Sequence, residues 1–518
     1  MLERFRLLGA VAILVAAAAD PAHAADGISS TVVPLPPPAA AASLVRAADG
    51  NLWFTVFDNA AGKFGYIVRM TPVGLSYYRL PPFTRSGLAQ QTLPIGLTNA
   101  PPNGNAGPLP HGRGPLVPLP PPARQLVFSW VTADAVHSLF PTDAGLGTID
   151  IDHPSRIVEY ASQNPGDPLY SPSLILDPNT YTLVATASPP MIWANAHALP
   201  TSESSPEFVV ALPFPIRAGA PLRAFPIGGA TTTGYTAFNA LTLGADGDIW
   251  YVAQRAIGRI SPSGASEFPL QFGPFAIAAG GQRVWVSAFP TRYAQQLSSG
   301  LLSVRYSGAS DVFYPWAARL GFDFLFFAPT RAAIWSLSWN GDLGVVYFMR
   351  MAPSGQWSAY SVPSPLGSGR YTPSSILVTT DGTIWGAFWN PQNAPLTAAL
   401  ISMKSSRVLS ALPLRLFLHP GQSAFVSVSE TNNSSATFSF SIPEGCPVTV
   451  QPGAGAGTFV VSGLPGSADS FYCGVTFSDA EGISVWVPLL NERQLGPQYD
   501  PRMQPLEQFR PFPFAGRR

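Results

Sequence analysis

The sequence predicts an all-β protein, built as a seven-bladed β-propeller followed by an immunoglobulin-like β-sandwich. Three observations predict this fold. A strand-and-turn unit recurs through most of the chain, the repeat stops near residue 412, and short alternating runs separated by turn residues follow it. The 56 Pro, 47 Gly, 32 Phe, 16 Tyr and 12 Trp among 518 residues favour short strands and turns over long helices.

The composition excludes two classes of protein. Basic and acidic residues number 29 each, and charged residues make up 11% of the chain, against about 25% in an ordinary soluble domain. No basic excess exists to release phosphate counterions, which argues against nucleic acid as a partner. The aromatic content is too high for a disordered polyelectrolyte.

Residues 1–24 form a predicted signal peptide. Arg4 and Arg6 precede the apolar run 7–19, and a small-residue cleavage site follows, with cleavage expected after Ala24. No later stretch reaches roughly 18 uninterrupted apolar residues, so no membrane span is predicted. The sequence therefore predicts export to the periplasm or the extracellular space.

The repeat is clearest in two copies, which share an Asp-Gly turn, a Trp strand, an Arg strand, a Pro-x-Gly turn and an aromatic-Pro strand. The copies cover residues 47–55, 65–74 and 78–81 in one case and 244–252, 257–264 and 267–270 in the other. Asp-Gly suits a tight hairpin because Gly accepts positive φ and Asp bonds to its own backbone. One four-stranded sheet cannot bury both faces, so stacked copies around an axis are expected.

The Trp position recurs at intervals that fit a four-stranded blade with its loops, at Trp250, Trp285, Trp335 and Trp385. Residues 124–128 and 181–184 resemble worn copies of the Trp strand. Counting them gives seven blades within residues 28–412. Two segments compete for the strand that closes the ring, 31–36 and 407–412, and the sequence does not decide between them.

Three segments lie outside the repeat. Residues 100–123 are rich in Pro and Gly and predict a long loop inserted in the second blade. Residues 414–490 predict the sandwich, and residues 491–518 predict a flexible tail. The sandwich strands are expected at 424–428, 437–441, 448–451, 459–462, 471–477 and 483–487. Cys446 and Cys473 predict one disulfide in an oxidising compartment, with two buried thiols as the alternative.

The repeats at 49–55 and 257–264 resemble those of the virginiamycin B (streptogramin B) lyase family. The resemblance is good in the first and fourth units, fair in the last two and poor from 83 to 233. It implies a seven-bladed propeller of bacterial origin and a lyase that eliminates a carbon–oxygen bond in a cyclic depsipeptide antibiotic. It also implies Mg²⁺ as cofactor and a histidine at one mouth of the ring.

The chain departs from that family where the chemistry should be. In the family a Glu commonly follows the Trp strand, but Val56, Ala253 and Ala387 stand at these positions. No His stands shortly after any Trp strand. Elimination needs a base and an acid or cation on the leaving oxygen. No catalytic or metal-binding residue is therefore assigned.

The remaining candidates each have a structural alternative. The mature histidines, His111, His137, His153, His197 and His419, could form a shared site or be scattered loop residues. Asp49, Asp246 and Asp381 could bind a cation near the axis, although hairpin turns explain them better. A ligand-binding mouth is predicted after the Trp strands, with packing between blades as the alternative; its residues are Phe57, Asp58, Phe289, Arg292, Trp339, Asp342, Phe388 and Trp389.

Two functions are compatible with these features of the sequence. The first is a binding module of the cell envelope, whose partner is a small hydrophobic, peptide or glycan ligand or an envelope protein. The second is a magnesium-dependent lyase acting on a type B streptogramin or another extracellular substrate. Only the family resemblance supports the lyase, and that is a likeness of fold.

Overall fold

The computed structural model describes residues 28–490 with gaps. The gaps are 37–39, 58–64, 86–87, 91, 100–123, 133–143, 163, 166, 177–182, 200–205, 218–220, 228–240, 254–255, 271–272, 290–299, 316–326, 331–332, 341–344, 364–371, 391–396, 415, 432–436, 444 and 465–472. The predicted signal peptide with its cleavage site at Ala24, the inserted loop 100–123 and the tail 491–518 therefore lie outside the described residues.

The described residues form strands and no helix, which confirms the all-β prediction. The first half of the strands, in chain order, is β1 (Ile28–Leu35), β2 (Ala40–Arg46), β3 (Leu52–Phe57), β4 (Gly65–Thr71), β5 (Gly74–Arg79), β6 (Phe83–Arg85), β7 (Leu88–Gln90), β8 (Thr92–Asn99), β9 (Gln125–Thr132), β10 (Ala144–Asp150), β11 (Ile157–Ala161), β12 (Leu174–Leu176), β13 (Val184–Ala187), β14 (Pro190–Ala198), β15 (Glu207–Pro213), β16 (Arg223–Pro226), β17 (Leu241–Leu243), β18 (Ile249–Ala253), β19 (Ala256–Ser261) and β20 (Gly264–Pro269).

The second half completes the propeller-like region (β1–β31) and forms the C-terminal module (β32–β39). Its strands are β21 (Gly273–Gly280), β22 (Arg283–Phe289), β23 (Gly300–Arg305), β24 (Ser310–Pro315), β25 (Phe327–Pro329), β26 (Ile334–Asn340), β27 (Val345–Met351), β28 (Trp357–Pro363), β29 (Thr372–Val378), β30 (Ile384–Asn390), β31 (Thr397–Ser405), β32 (Leu409–Leu412), β33 (Leu416–Phe417), β34 (Ser423–Glu430), β35 (Ser439–Ser441), β36 (Val448–Pro452), β37 (Thr458–Gly463), β38 (Cys473–Ser478) and β39 (Ile483–Leu490).

The propeller-like region is a succession of antiparallel sheets, built from consecutive strands except that the last one also contains β1. The sheets follow the orders β2-β3-β4-β5, β8-β9-β10-β11, β12-β14-β15-β16 with β13 beside β14, β17-β18-β19-β20, β21-β22-β23-β24, β25-β26-β27-β28 and β29-β30-β31-β1. We number them first to seventh. Their first strands, with β13 in place of β12 for the third sheet, contact one another in the order β2, β8, β13, β17, β21, β25, β29 and back to β2.

The N-terminal strand completes the seventh sheet. β1 pairs with β31 in antiparallel register, from Ile28 opposite Ser405 to Leu35 opposite Ala398. Of the two segments that compete for this place, 31–36 takes it. The other segment forms β32, which pairs with β34 in the C-terminal module. The segment 409–412, which the sequence analysis includes in the repeat, therefore pairs within the sheet of the C-terminal module.

The third sheet also differs from the prediction. The sequence pattern places the Trp strand at 181–184, but β13 lies at the inner edge of the sheet and pairs with β14. The Trp of this unit is Trp193 on β14, and its ring stacks on Phe225 of the outer strand at 5.8 Å between centroids. The pattern does not reveal this strand because it lacks the Asp-Gly turn that marks the first and fourth units.

The recurrent tryptophans pack between successive sheets. Trp53 is 0% exposed and shares an apolar cluster with Leu126 and Phe128 of the second sheet. Trp250 lies in a cluster with Val284 and Leu302 of the fifth sheet. Trp385 packs against the cluster that joins the seventh sheet to the first. The repeated Trp is therefore the side chain that fills each of these junctions between sheets.

The C-terminal module contains the six strands predicted from the sequence, as two facing sheets. One sheet is β32-β34-β37-β36, and the other contains β39, β38 and β35, with β33 parallel to β39. Apolar residues of both, including Val426, Val461 and Val485, face inward. Cys446 is disulfide-bonded, no described cysteine is free, and Cys473, the chain's other cysteine, begins β38.

The module is joined to the sixth sheet edge to edge. β28 pairs with β39, so Trp357 lies opposite Trp486 and Tyr360 lies opposite Ile483. One apolar cluster extends from the sixth and seventh sheets into the module, with Phe348 at one end and Phe477 at the other. The two regions therefore share a sheet and a core.

Candidate ligand-binding mouth

The predicted mouth residues lie at one end of the second strands of their sheets. Phe57 ends β3, Phe289 ends β22, Trp339 is the last residue but one of β26, and Phe388 and Trp389 lie near the end of β30. This end is opposite the Asp-Gly turns. The four strands belong to the fifth, sixth, seventh and first sheets, which follow one another in the contact order.

Phe388 does not belong to a mouth. Its side chain is 0% exposed and meets Phe348 of the sixth sheet edge-on, at 6.4 Å between centroids. The prediction for Phe388 is wrong because β30 is buried on both faces, and alternation along such a strand does not reveal which residues reach its end. This position follows the alternative of packing between sheets.

Phe57 and Trp389 are half-buried. Phe57 packs against the apolar cluster of the second and third sheets, and Trp389 packs against the cluster of the seventh and first sheets. Each ring therefore has one side in a junction between sheets and part of its surface in solvent. For Phe289 and Trp339 the structure describes the position in the strand and not the side chain. Three further predicted residues lie outside the described residues: Asp58, Arg292 and Asp342.

At the opposite end, the first Asp-Gly turn is held by its own side chains. Asp49 Oδ2 accepts a hydrogen bond from Asn51 Nδ2 at 2.9 Å and from Trp53 Nε1 at 3.2 Å, and lies 2.8 Å from Arg69 Nη2. Burial raises the pKa of Asp49, but the bonds from Asn51 and Trp53 and the Arg69 charge outweigh it and hold the pKa below its usual value. Gly50 supplies the positive φ, +77°.

The fourth sheet repeats the turn with a different ion pair. Asp246 Oδ2 accepts from Trp250 Nε1 at 3.2 Å, but Arg259 Nε lies 3.5 Å from Asp248 Oδ2 instead. Arg259 Nη1 also donates to the carbonyl oxygen of Tyr306, in the fifth unit, at 2.7 Å. Both arginines lie over their tryptophans, at 5.6 Å for Arg69 and 5.8 Å for Arg259.

These contacts assign the aspartates to turns. In the seventh sheet Asp381 accepts hydrogen bonds from the hydroxyls of Thr379 and Thr383. Those bonds lower the pKa of Asp381 to about 2. Among the described residues there is no group of three His, Cys, Asp or Glu side chains that could hold a metal ion.

The three described histidines stand on different elements. His153 follows β10, His197 lies on β14, and His419 precedes β34. His153 Nδ1 is 3.6 Å from Asp150 Oδ2, the approach of a histidine and a carboxylate that elimination chemistry would use. Asp150 Oδ1, however, accepts the backbone N–H of His153 at 3.0 Å, which is the geometry of a turn. His111 and His137 lie outside the described residues.

The positions that carry Glu in the lyase family are buried here. Val56 is 4% exposed, Ala253 4% and Ala387 0%, and each belongs to an apolar cluster. These three side chains therefore lie in apolar surroundings.

A buried ionic cluster lies beside the joint between the sixth sheet and the C-terminal module, and no sequence pattern indicated it. It connects Arg407, in the link between β31 and β32, to carboxylates of the module. Arg407 Nε lies 2.5 Å from Glu430 Oε1, Nη2 lies 2.9 Å from Asp479 Oδ2, and Nη1 bonds to Glu481 Oε2. The Arg407 and Glu430 side chains are 6% and 0% exposed. Burial raises the pKa of Asp479. The hydrogen bonds from the backbone N–H groups of Ile483 and Glu481 and the charge of Arg407 lower it, but burial is the larger effect, so the pKa lies above its usual value.

The joint is also fixed by hydrogen bonds across it. Gln356 Nε2 donates to the Ala411 carbonyl at 2.7 Å, Ser358 Oγ to the Leu409 carbonyl at 2.9 Å, and Tyr360 Oη to the Arg407 carbonyl at 3.0 Å. Burial raises the pKa of Tyr360 to about 12. The sequence offered one sign of this joint, which is that β28, the outermost strand of its unit, carries Trp357 and Tyr360.

No family model matches the chain, and no curated protein matches it. Among solved structures, it is similar to the S. cerevisiae core factor, with 9% identity, a TM-score of 0.35 and 74% of this chain covered. The chain spans 58% of that core factor chain. It is also similar to the WD40 domain of SCAP from fission yeast, with 8% identity, a TM-score of 0.27, and 84% and 94% of the two chains covered. Similarity of this degree carries no function to the present chain.

In the described part of the chain, no helix is long and apolar enough to cross a membrane.

Proposed function

We propose that the chain is an exported seven-bladed β-propeller with an immunoglobulin-like sandwich, and that it binds a ligand or partner in the cell envelope. The observation that carries the proposal is the contact order of the first strands, which returns from β29 to β2. An arrangement of this kind has two mouths. One mouth presents the ends of the second strands, with the half-buried rings of Phe57 and Trp389.

Binding is favoured over catalysis by the side chains present. Val56, Ala253 and Ala387 are buried and cannot move a proton. Aromatic rings with one packed face and one wet face suit hydrophobic, peptide or glycan ligands. The C-terminal module, held by the pairing of β39 with β28 and by hydrogen bonds from Gln356 and Ser358, then acts as a fixed extension of the ring.

A lyase remains the second candidate because of the repeats at 49–55 and 257–264. Mg²⁺ takes oxygen ligands, often one or two carboxylates. The described residues do not offer such a site, since Asp49, Asp246 and Asp381 are engaged in their turns and no three candidate ligands converge. No step through magnesium is derived.

The first experiment separates these functions. The mature chain is incubated with a type B streptogramin, with and without Mg²⁺, and followed by chromatography coupled to mass spectrometry. A binding module leaves the antibiotic intact. A ring-opened product of unchanged mass would establish elimination and overturn the proposal, and a product heavier by one water would establish a hydrolase.

The mouth is tested with an apolar fluorescent probe, anilinonaphthalene sulfonate. Trp389→Ala and Phe57→Ala are expected to lower the fluorescence of the bound probe. The matched control is Val73→Ala, which changes a side chain 97% exposed at the opposite end of the first sheet. Equal fluorescence in all four proteins, with unchanged melting temperatures, would remove these rings from the binding surface.

Export is tested by N-terminal sequencing of protein recovered from the periplasm and the medium. The mature chain is expected to begin at Ala25. A chain that retains residues 1–24 in the cytoplasm would contradict export.

A further inference from the structure

The outward face of the sheet β32-β34-β37-β36 has an unusual composition. Its outward positions alternate with the buried ones, as in Ser427 between Val426 and Val428. Those positions are Ser, Thr and Gln, with three apolar side chains, Leu412, Phe425 and Val460. None of these outward strand positions holds Asp, Glu, Lys, Arg or His, whereas about a quarter or more of a soluble protein surface is charged.

The hydroxyls on this face form rows across the strands. Ser423 lies opposite Ser462, with their Oγ atoms 2.7 Å apart, and Ser427 lies opposite Thr458. Four strands spaced by about 4.8 Å make the face about 14 Å across. Each hydroxyl can both donate and accept a hydrogen bond.

One aromatic ring stands among these hydroxyls. Phe425 is 75% exposed and lies opposite Val460, which in turn lies opposite Gln451. Phe425 and Val460 therefore form a small apolar spot between the row of Ser423 and Ser462 and the row of Ser427 and Thr458. Three quarters of the Phe425 surface is therefore open to contact with a ligand.

The chemistry of this face argues against several classes of ligand. Phosphate and carboxylate ligands need Arg or Lys, which the face lacks. An anionic membrane surface needs basic residues or a broad apolar stripe. A stable protein interface, including one with a second copy, needs a larger apolar centre than the three side chains of Phe425, Val460 and Leu412.

A neutral sugar is the ligand class that fits an uncharged face of hydroxyls with one exposed aromatic ring. Its hydroxyls are donors and acceptors without charge, and the C–H face of a pyranose ring packs against the negative face of an aromatic ring. We propose that the outward face of β32-β34-β37-β36 binds neutral polysaccharide, with Phe425 stacking on a sugar ring and the Ser and Thr rows bonding to its hydroxyls. This site is separate from the mouth of the propeller-like region.

The test is a depletion assay with the full mature chain and three insoluble neutral polysaccharides, cellulose, chitin and a β-1,3-glucan. Retention on at least one is expected, and it should not change with salt because no ion pair forms. Phe425→Ala should weaken retention roughly tenfold, the effect of losing one stacking contact. Ser427→Lys should weaken it as well by placing a charge among the hydroxyls.

Val73→Ala is the matched control, since it removes an exposed apolar side chain from the propeller-like region and should bind as the parent protein does. Melting temperatures establish that the variants are folded. Failure of the parent chain to bind any of the three polysaccharides, or equal retention of Phe425→Ala, would overturn the proposal. A dimer in sedimentation that Phe425→Ala abolishes would also overturn it and assign the face to a second copy. None of these outcomes depends on the streptogramin or probe assays of the mouth.

Discussion

Two kinds of junction hold this molecule together. Between the sheets of the propeller-like region, a buried Trp such as Trp53 or Trp250 fills an apolar gap. Between the sixth sheet and the C-terminal module, the pair of strands β28 and β39 and side-chain hydrogen bonds form the joint, beside the ionic cluster that holds Arg407 to three carboxylates of the module. The apolar junction can recur because a buried Trp packs against many combinations of apolar side chains of suitable volume. The joint occurs once, and its directional bonds suit one arrangement of the two regions.

The largest effect is expected from the apolar junction. Trp53→Ala should lower the free energy of unfolding by about 3–5 kcal/mol, through lost burial and the cavity left behind. Urea unfolding followed by far-ultraviolet circular dichroism measures it. Val73→Ala, fully exposed on the same sheet, should change the free energy of unfolding by less than about 0.5 kcal/mol.

The second largest loss of stability is expected from breaking the ionic cluster of Arg407. Arg407→Met leaves three carboxylates without their cation and should cost about 3 kcal/mol, the lower end of the range for a broken buried pair, because Glu481 is partly exposed. A second change, Glu430→Gln, should recover part of the loss. Arg223→Met, on an exposed position of β16, is the matched control. A double variant no more stable than Arg407→Met would contradict carboxylate repulsion as the cause.

The disulfide tests the comparison because it lies in the C-terminal module and not between repeated sheets. Cys446→Ser should lower the free energy of unfolding by about 2–4 kcal/mol. The core shared by the sixth sheet and the module predicts one unfolding transition for both. Two separate calorimetric transitions, with the propeller-like region unmoved, would show that the joint does not couple them.

The Asp-Gly turns of the first and fourth sheets offer an internal comparison in which smaller losses of stability are expected. Asp49→Ala removes the partner of Arg69 and of Trp53 Nε1, and should cost about 1–2 kcal/mol. Asp246→Ala should cost less, because Arg259 keeps Asp248 and the Tyr306 carbonyl. Equal losses in chemical denaturation would mean that the Arg pairing contributes nothing.

The smallest effect concerns the seventh turn. The Asp381 carboxyl should titrate near pH 2, below its value in the unfolded chain, because Thr379 and Thr383 donate to its ionised form. Its contribution to stability is therefore present above the unfolded pKa and is lost as the pH falls towards 2. Carbon-detected NMR titration measures the midpoint, and Thr379→Val should raise it. A midpoint near 4 in both proteins would contradict these bonds.

Patterns within single strands were predictable from the sequence. The Trp strands of the first, fourth and seventh units and all six strands of the C-terminal module follow from alternation and turn residues, which are local properties. The Trp strand of the third unit was misplaced because Trp193 follows no Asp-Gly turn. The assignment of Phe388 to the mouth failed because both faces of β30 are buried.

Pairing between strands that are distant in the sequence was harder to predict. Outer strands such as β20 are largely exposed, whereas β28 is buried along nearly its whole length. Trp357 and Tyr360 in that outer strand were the available sign of a covered edge. Nothing in their spacing identifies β39 as the cover, since any strand edge presents the same backbone donors and acceptors.

The pairing of β1 with β31 has a consequence for how the protein is made. The first described strand is synthesised about 360 residues before its partner, and it cannot complete its hydrogen bonds until that partner has been made. Contacts of such long sequence separation slow folding. A nascent chain would thus keep β1 unpaired until β31 has left the ribosome, which makes completion of the seventh sheet a late step in folding.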